Sequence, residues 1–149
     1  MPAFHWCSTS LDIGSIIQPG NWGRIVRKFG WNHGHSGNEA ALEHIRLTEF
    51  SHLPSRLDAA FYLADQQAAS FYGQGQVNHL MVLYEVELLQ PEANSHRTYW
   101  DGVRPSGDLG LEWARKYWRG EPPDGNINIS KQERLTLSAL KVVRRIEDF

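Results

Sequence analysis

The sequence lacks the features typical of secreted and membrane proteins. Cys7 is its only cysteine, so an intrachain disulfide is excluded and a reducing compartment is the natural setting. No apolar run reaches the roughly 18 residues of a membrane span, and the N-terminal residues carry no signal-peptide pattern. We therefore expect a cytoplasmic protein, or one delivered into a target cell's cytoplasm, with no membrane partner. Cys7 has no base at a favourable spacing, so we interpret it as a small buried hydrophobe.

An excess of positive charge is also lacking. The net charge is −2 at pH 7 and the sequence pI is about 6.4, which argues against a general nucleic-acid or membrane-surface binder. The segment 131–149 is a local exception with five basic and three acidic residues, and we interpret it as a solvated strand face. The glycine-rich loops that cradle phosphates in Rossmann and P-loop proteins are absent as well.

What the chain does contain fits a single folded domain over residues 1–149. Its apolar fraction is 41% and its charged fraction is 21%, and both values are typical of globular proteins. The apolar periodicity and turn residues predict strand 2–10, helix 38–50, strand 59–63, helix 65–73, strand 79–89, helix 108–120 and one or two strands within 131–149. This order predicts the α+β class.

The signals for helix ends and loops are more local. Ser36 followed by Glu39 predicts a capping box, and Asp65 and Asp108 are predicted N-caps. The segments 21–37 and 90–107 lack clear periodicity, and we expect irregular loops there.

The residues that could carry chemistry are ordinary when each is taken singly. A histidine such as His5 in a hydrophobic strand is usually a satisfied core or edge residue. His33 and His35 lie two positions apart but have no third ligand at a fixed spacing, so we expect no metal site. The aromatic residues of 60–72, "AFYLADQQAASFY", would by themselves be core filling.

Three segments, taken together and in this order, resemble the motifs of NAD-dependent ADP-ribosyltransferases. "FHWCSTSLDIGSIIQPG" is similar to the first motif, in which a histidine-bearing strand leads into a Pro-Gly turn. "AFYLADQQAASFY" is similar to the second motif of the diphtheria-toxin and poly(ADP-ribose) polymerase branch, with Ser70 eight residues after Tyr62. "QERLTLSALKVVRRI" resembles the third motif, a glutamate that starts a strand. The same segments also resemble small bacterial rifamycin ADP-ribosyltransferases.

The resemblance implies a split antiparallel β-sandwich with peripheral helices that uses NAD+ as a substrate and transfers ADP-ribose to an acceptor. Its His-Tyr-Glu motif implies that His5 binds the adenosine-side ribose, Tyr62 stacks on nicotinamide, and Glu133 stabilises the oxocarbenium-like ribose. The further residues implied to bind NAD+ are Trp6, Ser8, Thr9, Ser70, Phe71 and Tyr72.

The sequence departs from the family pattern in three places. Trp6 stands where the family usually has glycine, so its side chain must point away from the nicotinamide. Tyr72 is displaced by about one residue from the expected spacing. For the acidic residue we favour Glu133, and Glu92 and Glu121 remain alternatives.

Two other functions remain open on the same fold. One is a catalytically inactive module that binds NAD+ or a protein partner. The other is an NAD-dependent RNA 2′-phosphotransferase, against which the acidic net charge counts. By analogy, the enzyme would be a bacterial toxin, effector or defence enzyme with an unidentified acceptor and a cognate antitoxin or immunity protein.

Overall fold

Two antiparallel sheets and four α-helices form the part of the chain that the computed structural model describes, residues 2–74, 81–107 and 110–146. The first sheet has the order β1-β4-β7-β2 and consists of β1 (Ala3–Cys7), β4 (Val82–Leu88), β7 (Leu140–Ile146) and β2 (Ile16–Ile17). The second has the order β3-β6-β5 and consists of β3 (Ala60–Tyr62), β6 (Gln132–Thr136) and β5 (Ser95–Tyr99). The helices are α1 (Asn21–Phe29), α2 (Ser36–Glu49), α3 (Gln66–Gln74) and α4 (Glu112–Arg119). The predicted α+β class is confirmed.

The two sheets touch at one isolated bridge between β1 and the end of β3. The Phe4 amide donates to the Leu63 carbonyl at 2.8 Å, and the Leu63 amide donates back to the Phe4 carbonyl at 2.8 Å. Beyond this bridge the paired positions belong to different sheets: His5 pairs with Tyr84 of β4, and Tyr62 pairs with Arg134 of β6. The edges of β1 and β3 therefore border a cleft between the sheets.

The core is divided between the two sheets. Trp118, Tyr117, Leu42 and Leu135 are almost fully buried where α2 and α4 pack against the second sheet. The Trp118 indole N–H donates to the Leu42 carbonyl at 2.8 Å, so this large side chain is buried without an orphaned donor. The first sheet buries Tyr84 and the inward-facing residues of β7 in a separate cluster. Apolar packing thus holds the two sheets that border the cleft.

Several predicted elements agree with the structure. Helices 38–50 and 65–73 correspond to α2 and α3, and the Asp65 carboxylate accepts from the Ala68 amide at 2.9 Å as an N-cap does. Strand 79–89 corresponds to β4, although residues 79 and 80 lie outside the described residues, as does the predicted N-cap Asp108. The tail forms β6 and β7.

Three local predictions were wrong. The expected loop 21–37 contains α1 and a short 3-10 turn, and the expected irregular connection 90–107 contains β5. The capping box is also absent: the helix begins after His35 without a side-chain cap, and the Ser36 hydroxyl donates to the His33 carbonyl. Glu39 cannot reach back to cap the helix because its carboxylate is buried against Arg56.

No described helix is long and apolar enough to cross a membrane.

Helix α1 packs with its backbone directly on the chain that leads into β3. A Cβ atom added at Gly23 would lie 1.9 Å from the Leu57 carbonyl oxygen, far inside van der Waals contact. We predict that Gly23→Ala lowers the free energy of unfolding by about 1–3 kcal/mol, because the helix must move away from this contact. Urea denaturation measures the change.

Gly37→Ala is the matched control for this prediction. Gly37 is also helical, and a Cβ atom there meets nothing within 4 Å. Alanine should leave stability unchanged or raise it by up to about 1 kcal/mol, as helix propensity requires. Equal effects of the two substitutions would contradict the packing of α1 described above.

Candidate functional site

Three neighbouring cavities share His5, Trp6 and Phe61 as lining residues at the cleft between the sheets. We call the narrow one, of about 90 Å³, the slot. Its lining residues are Phe4, His5, Trp6, Phe61, Tyr62, Leu63, Tyr72, Met81 and Glu133. Two larger cavities lie next to the slot. We call the one beside α1, of about 670 Å³, the proximal cavity. We call the one on the side of α2, of about 640 Å³, the distal cavity.

His5 lies on β1 and its ring is fixed by one backbone contact across the cleft. Its Nδ1 lies 2.7 Å from the Phe61 carbonyl oxygen, and because a carbonyl only accepts, Nδ1 carries the proton. Burial lowers the pKa of His5, and the bond to Phe61 opposes this shift without overcoming it. The imidazole is therefore neutral at pH 7, and its Nε2 is a hydrogen-bond acceptor.

The Trp6 side chain lines the slot and packs against α3. The indole N–H donates to the Ala69 carbonyl at 2.9 Å. A Cβ atom added at Gly73 would lie 2.3 Å from the Trp6 ring, so this glycine is needed where the indole meets the helix. The tryptophan at position 6, where the resemblance leads us to expect glycine, is thus accommodated by its packing against α3.

Two tyrosines supply hydroxyl-bearing rings to the slot. Tyr62 comes from β3 and Tyr72 from α3, and burial raises the pKa of both hydroxyls, so both are neutral at pH 7. The Tyr72 ring is packed edge-to-face on Trp100, with 5.4 Å between the ring centroids. This contact with Trp100 supports the Tyr72 ring, which also lines the slot.

Glu133 lies near the start of β6 and reaches the slot from the second sheet. Its carboxylate accepts from the Tyr117 hydroxyl at 3.1 Å and from Arg56 Nη1 at 3.2 Å. Burial raises the pKa of Glu133, and the Arg56 charge and the Tyr117 hydroxyl offset only part of this effect. The carboxyl group lines both the slot and the distal cavity.

Arg56 is a buried cation that the sequence analysis did not identify. Its Nε donates to both carboxylate oxygens of Glu39, at 2.9 and 3.1 Å, and its Nη1 donates to the Tyr117 hydroxyl at 2.5 Å. Its guanidinium carbon lies 4.9 Å from the centre of the Phe61 ring. Burial by itself lowers the pKa of Arg56, but the neighbouring Tyr117, Glu39 and Glu133 outweigh it, so the pKa is raised and the cation persists. We call Glu39, Arg56, Tyr117 and Glu133 the buried charge network.

The other residues expected to bind NAD+ are not all brought together. Ser8 and Thr9 are exposed and line the proximal cavity, together with the partly buried Cys7. Ser70 is half-buried on α3 and is not among the residues that line the three cavities. Phe71 is exposed and does not line them either, although its ring lies 6.3 Å from that of Trp100.

The alternative acidic residues lie apart from this site. Glu92 is exposed in the turn after β4, and Glu121 is exposed and paired with Arg119 at 3.0 Å. Neither of them lines the slot, whereas Glu133 does. The structure therefore brings Glu133, and not Glu92 or Glu121, next to His5 and Tyr62.

The two histidines considered for a metal site contact each other. Their ring centroids are 5.6 Å apart, and His33 Nδ1 accepts from the His35 amide at 3.1 Å. Within residues 2–74, 81–107 and 110–146, no group of three His, Cys, Asp or Glu side chains is placed to hold a metal ion.

No protein-family model matches the sequence, and no curated protein matches it significantly.

The buried charge network gives a prediction for stability. In Arg56→Met, the carboxylates of Glu39 and Glu133 lose their shared cation inside the protein. Removing one partner of a buried ion pair typically costs about 3–5 kcal/mol, and we expect a loss of that size in urea denaturation. The control Arg115→Met breaks a more exposed pair with Glu49, and we expect it to cost clearly less stability than Arg56→Met. A loss no larger for Arg56 than for Arg115 would show that the network does not stabilise the fold.

The raised pKa of Glu133 gives a prediction for pH dependence. Above the ordinary carboxyl pKa of 4.5, the unfolded chain has released the Glu133 proton while the native state still holds it. This proton stabilises the native state fully below pH 4.5, and the stabilisation is lost as the pH rises through the native pKa of Glu133. The stability of the wild type relative to Glu133→Gln should therefore fall with rising pH, as urea denaturation over about pH 4–8 can measure. If the stability of the wild type relative to Glu133→Gln instead rises with pH, the native pKa of Glu133 is lowered and the prediction is wrong.

Proposed function

We propose that the protein is an NAD+-dependent ADP-ribosyltransferase built on the split β-sandwich of that superfamily. It cleaves the bond between nicotinamide and ribose and transfers ADP-ribose to an acceptor. One observation carries the proposal: His5, Tyr62, Tyr72 and Glu133 come from three segments far apart in the sequence and line one slot. The three segments are those that resemble the motifs of the superfamily, so geometry and resemblance support the same set of residues.

The tyrosines provide the binding surface for nicotinamide. The pyridinium ring of NAD+ is flat and positively charged, and an aromatic ring face attracts such a cation by about 0.5–2 kcal/mol. Tyr62 and Tyr72 both offer rings to the slot, one from β3 and the other from α3. The carboxamide would be bound by backbone groups of β1 at Trp6, whose side chain is directed toward α3.

His5 and Glu133 act on the two riboses. The acceptor lone pair on His5 Nε2 suits a hydroxyl of the adenosine-side ribose, because Nδ1 is already committed to Phe61. The Glu133 carboxylate suits the 2′-hydroxyl of the ribose attached to nicotinamide, where positive charge develops as the glycosidic bond breaks. Negative charge fixed at this point in a poorly hydrated site stabilises the transition state more than it would in water.

The buried charge network prepares Glu133 for this role. Burial favours the protonated acid, which could not stabilise an oxocarbenium ion, and Arg56 and Tyr117 counteract that tendency. Both donors bond the same oxygen, Oε1, and so leave the other oxygen for a ligand. Arg56 is thus a positioning residue that orients the carboxyl group and favours its ionised form.

A binding module without catalysis is the second candidate, and the same contacts favour it. A carboxylate held by a cation and a phenol is partly neutralised, which would suit the binding of NAD+ without turnover. The two candidates differ in one observable, because only the enzyme releases nicotinamide.

Glu133→Gln tests the enzymatic proposal. The amide keeps the size of the side chain and loses its charge, so we expect nicotinamide release from NAD+ to fall by about 100-fold or more. Release is followed by liquid chromatography, and binding of NAD+ is followed by calorimetry. Binding of NAD+ by the variant should survive, since the slot keeps its rings and His5.

The controls for this test are Glu92→Gln and Glu121→Gln. Both residues are exposed and lie away from the slot, so each variant should release nicotinamide within about twofold of the wild-type rate. A wild-type protein that binds NAD+ without releasing nicotinamide would support the binding module. A wild-type protein that does neither would end both candidates.

A further inference from the structure

The segment 21–38 has a composition unlike the rest of the chain. It contains three cations, Arg24, Arg27 and Lys28, and no acidic residue, whereas the whole chain has a net charge of −2. It also exposes large aromatic rings, with Phe29 53% and Trp31 83% exposed. We call residues 21–38 the arm. Exposed rings beside cations indicate a surface that binds a partner.

The arm also presents a cluster of aromatic rings in edge-to-face and tilted contact. The centroid of Trp22 lies 5.1 Å from that of His33 and 5.7 Å from that of His35, and Phe29 lies 6.3 Å from His33. Of the nearby cations, Arg27 meets Asp58 at 3.4 Å in an exposed pair, and Arg24 donates to the Asn21 side chain and the Pro19 carbonyl. The arm therefore offers aromatic rings and positive charge within one segment.

Trp22 connects the arm to the candidate site. Its indole N–H donates to Glu39 at 2.8 Å, which anchors the ring to the buried charge network. Trp22 lines the distal cavity together with His35, Tyr72, Trp100 and Glu133. The Trp100 indole nitrogen is buried and has no hydrogen-bond partner among the described residues. At about 640 Å³, this space offers several ring walls next to the proposed catalytic carboxylate.

We propose that the acceptor of ADP-ribose is a base of a single-stranded nucleic acid, held by the arm and placed in the distal cavity. This inference rests on the proposed function. Cations follow a phosphate backbone while aromatic side chains stack on bases, and the arm supplies both within one segment. Contacts between cations and phosphates are local. A segment without acidic residues can therefore bind a phosphate backbone although the whole chain has a weakly acidic net charge.

The transfer step balances without a further reactant. The bond between the ribose C1 atom and nicotinamide breaks, and its electron pair leaves with neutral nicotinamide. A nitrogen lone pair of the base forms the new bond to C1, and the proton on that nitrogen passes to solvent. The products are the ADP-ribosylated base, nicotinamide and one proton.

Binding is tested first and without NAD+. A fluorescein-labelled single-stranded oligonucleotide of mixed sequence, in DNA and RNA forms, is titrated with the full chain and followed by anisotropy. We expect binding that weakens as salt rises, and a loss of about tenfold or more in Trp31→Ala and in Lys28→Glu. Both residues lie on the arm, and thermal melting by circular dichroism checks that the variants are folded.

The matched controls are Leu47→Ala and Lys141→Glu. Leu47 is an exposed apolar residue on α2, and Lys141 is a cation on β7 whose contact with Glu87 is long, at 3.9 Å. Both controls should bind the oligonucleotide within about twofold of the wild type. Equal losses in the controls and the arm variants, or no binding by the wild type, would overturn the role of the arm.

Transfer is tested with NAD+ labelled in its adenine moiety, the same oligonucleotides and a whole-cell protein lysate. Label on the oligonucleotide, located on a base by mass spectrometry and lost in the arm variants, is the expected result. Released nicotinamide with label only on protein or on free ADP-ribose would overturn the nucleic-acid acceptor and leave the proposed function intact. No nicotinamide release in any mixture would instead refute the proposed function, and this inference with it.

Discussion

The buried guanidinium of Arg56 is the constraint on which the candidate site depends. It joins α2 through Glu39, α4 through Tyr117 and β6 through Glu133, so one cation fixes three elements at the back of the cleft. Taking these charges out of water is costly, and a hydrophobic cluster of equal volume is often as stable. The cation is therefore best explained by what it does for Glu133, whose carboxyl group it orients and whose raised pKa it lowers in part.

The cleft in front of this network follows from the way in which the sheets meet. One bridge, Phe4 to Leu63, ties β1 to the end of β3, and beyond it the strands pair within different sheets. The space that opens is lined by backbone edges and aromatic rings, and His5 spans it with a single bond to Phe61. A flat ligand with polar ends suits such a space. For this reason we propose a function in which the substrate carries a nicotinamide ring.

Sequence patterns predicted the parts of this structure that depend on local order. Apolar periodicity located β1, β4 and α2, and the motif resemblance selected His5, Tyr62 and Glu133, which line one slot. Strand β5 was missed because "SHRTY" has few apolar residues, and α1 because it is basic and begins without a side-chain cap. Arg56 could not be found because its partners lie 17, 61 and 77 residues away, and a buried cation has no local signature. Glu39 was misinterpreted for the same reason.

The central claim is that NAD+ binds in this cleft with its nicotinamide in the slot and its adjoining ribose at Glu133. A crystal structure of Glu133→Gln with NAD+ tests it most directly, since the intact substrate would persist in the crystal. The account predicts the nicotinamide ring between Tyr62 and Tyr72, a ribose hydroxyl within hydrogen-bond distance of residue 133, and the other ribose at His5. NAD+ bound elsewhere on the molecule, or with its nicotinamide outside the slot, would contradict it.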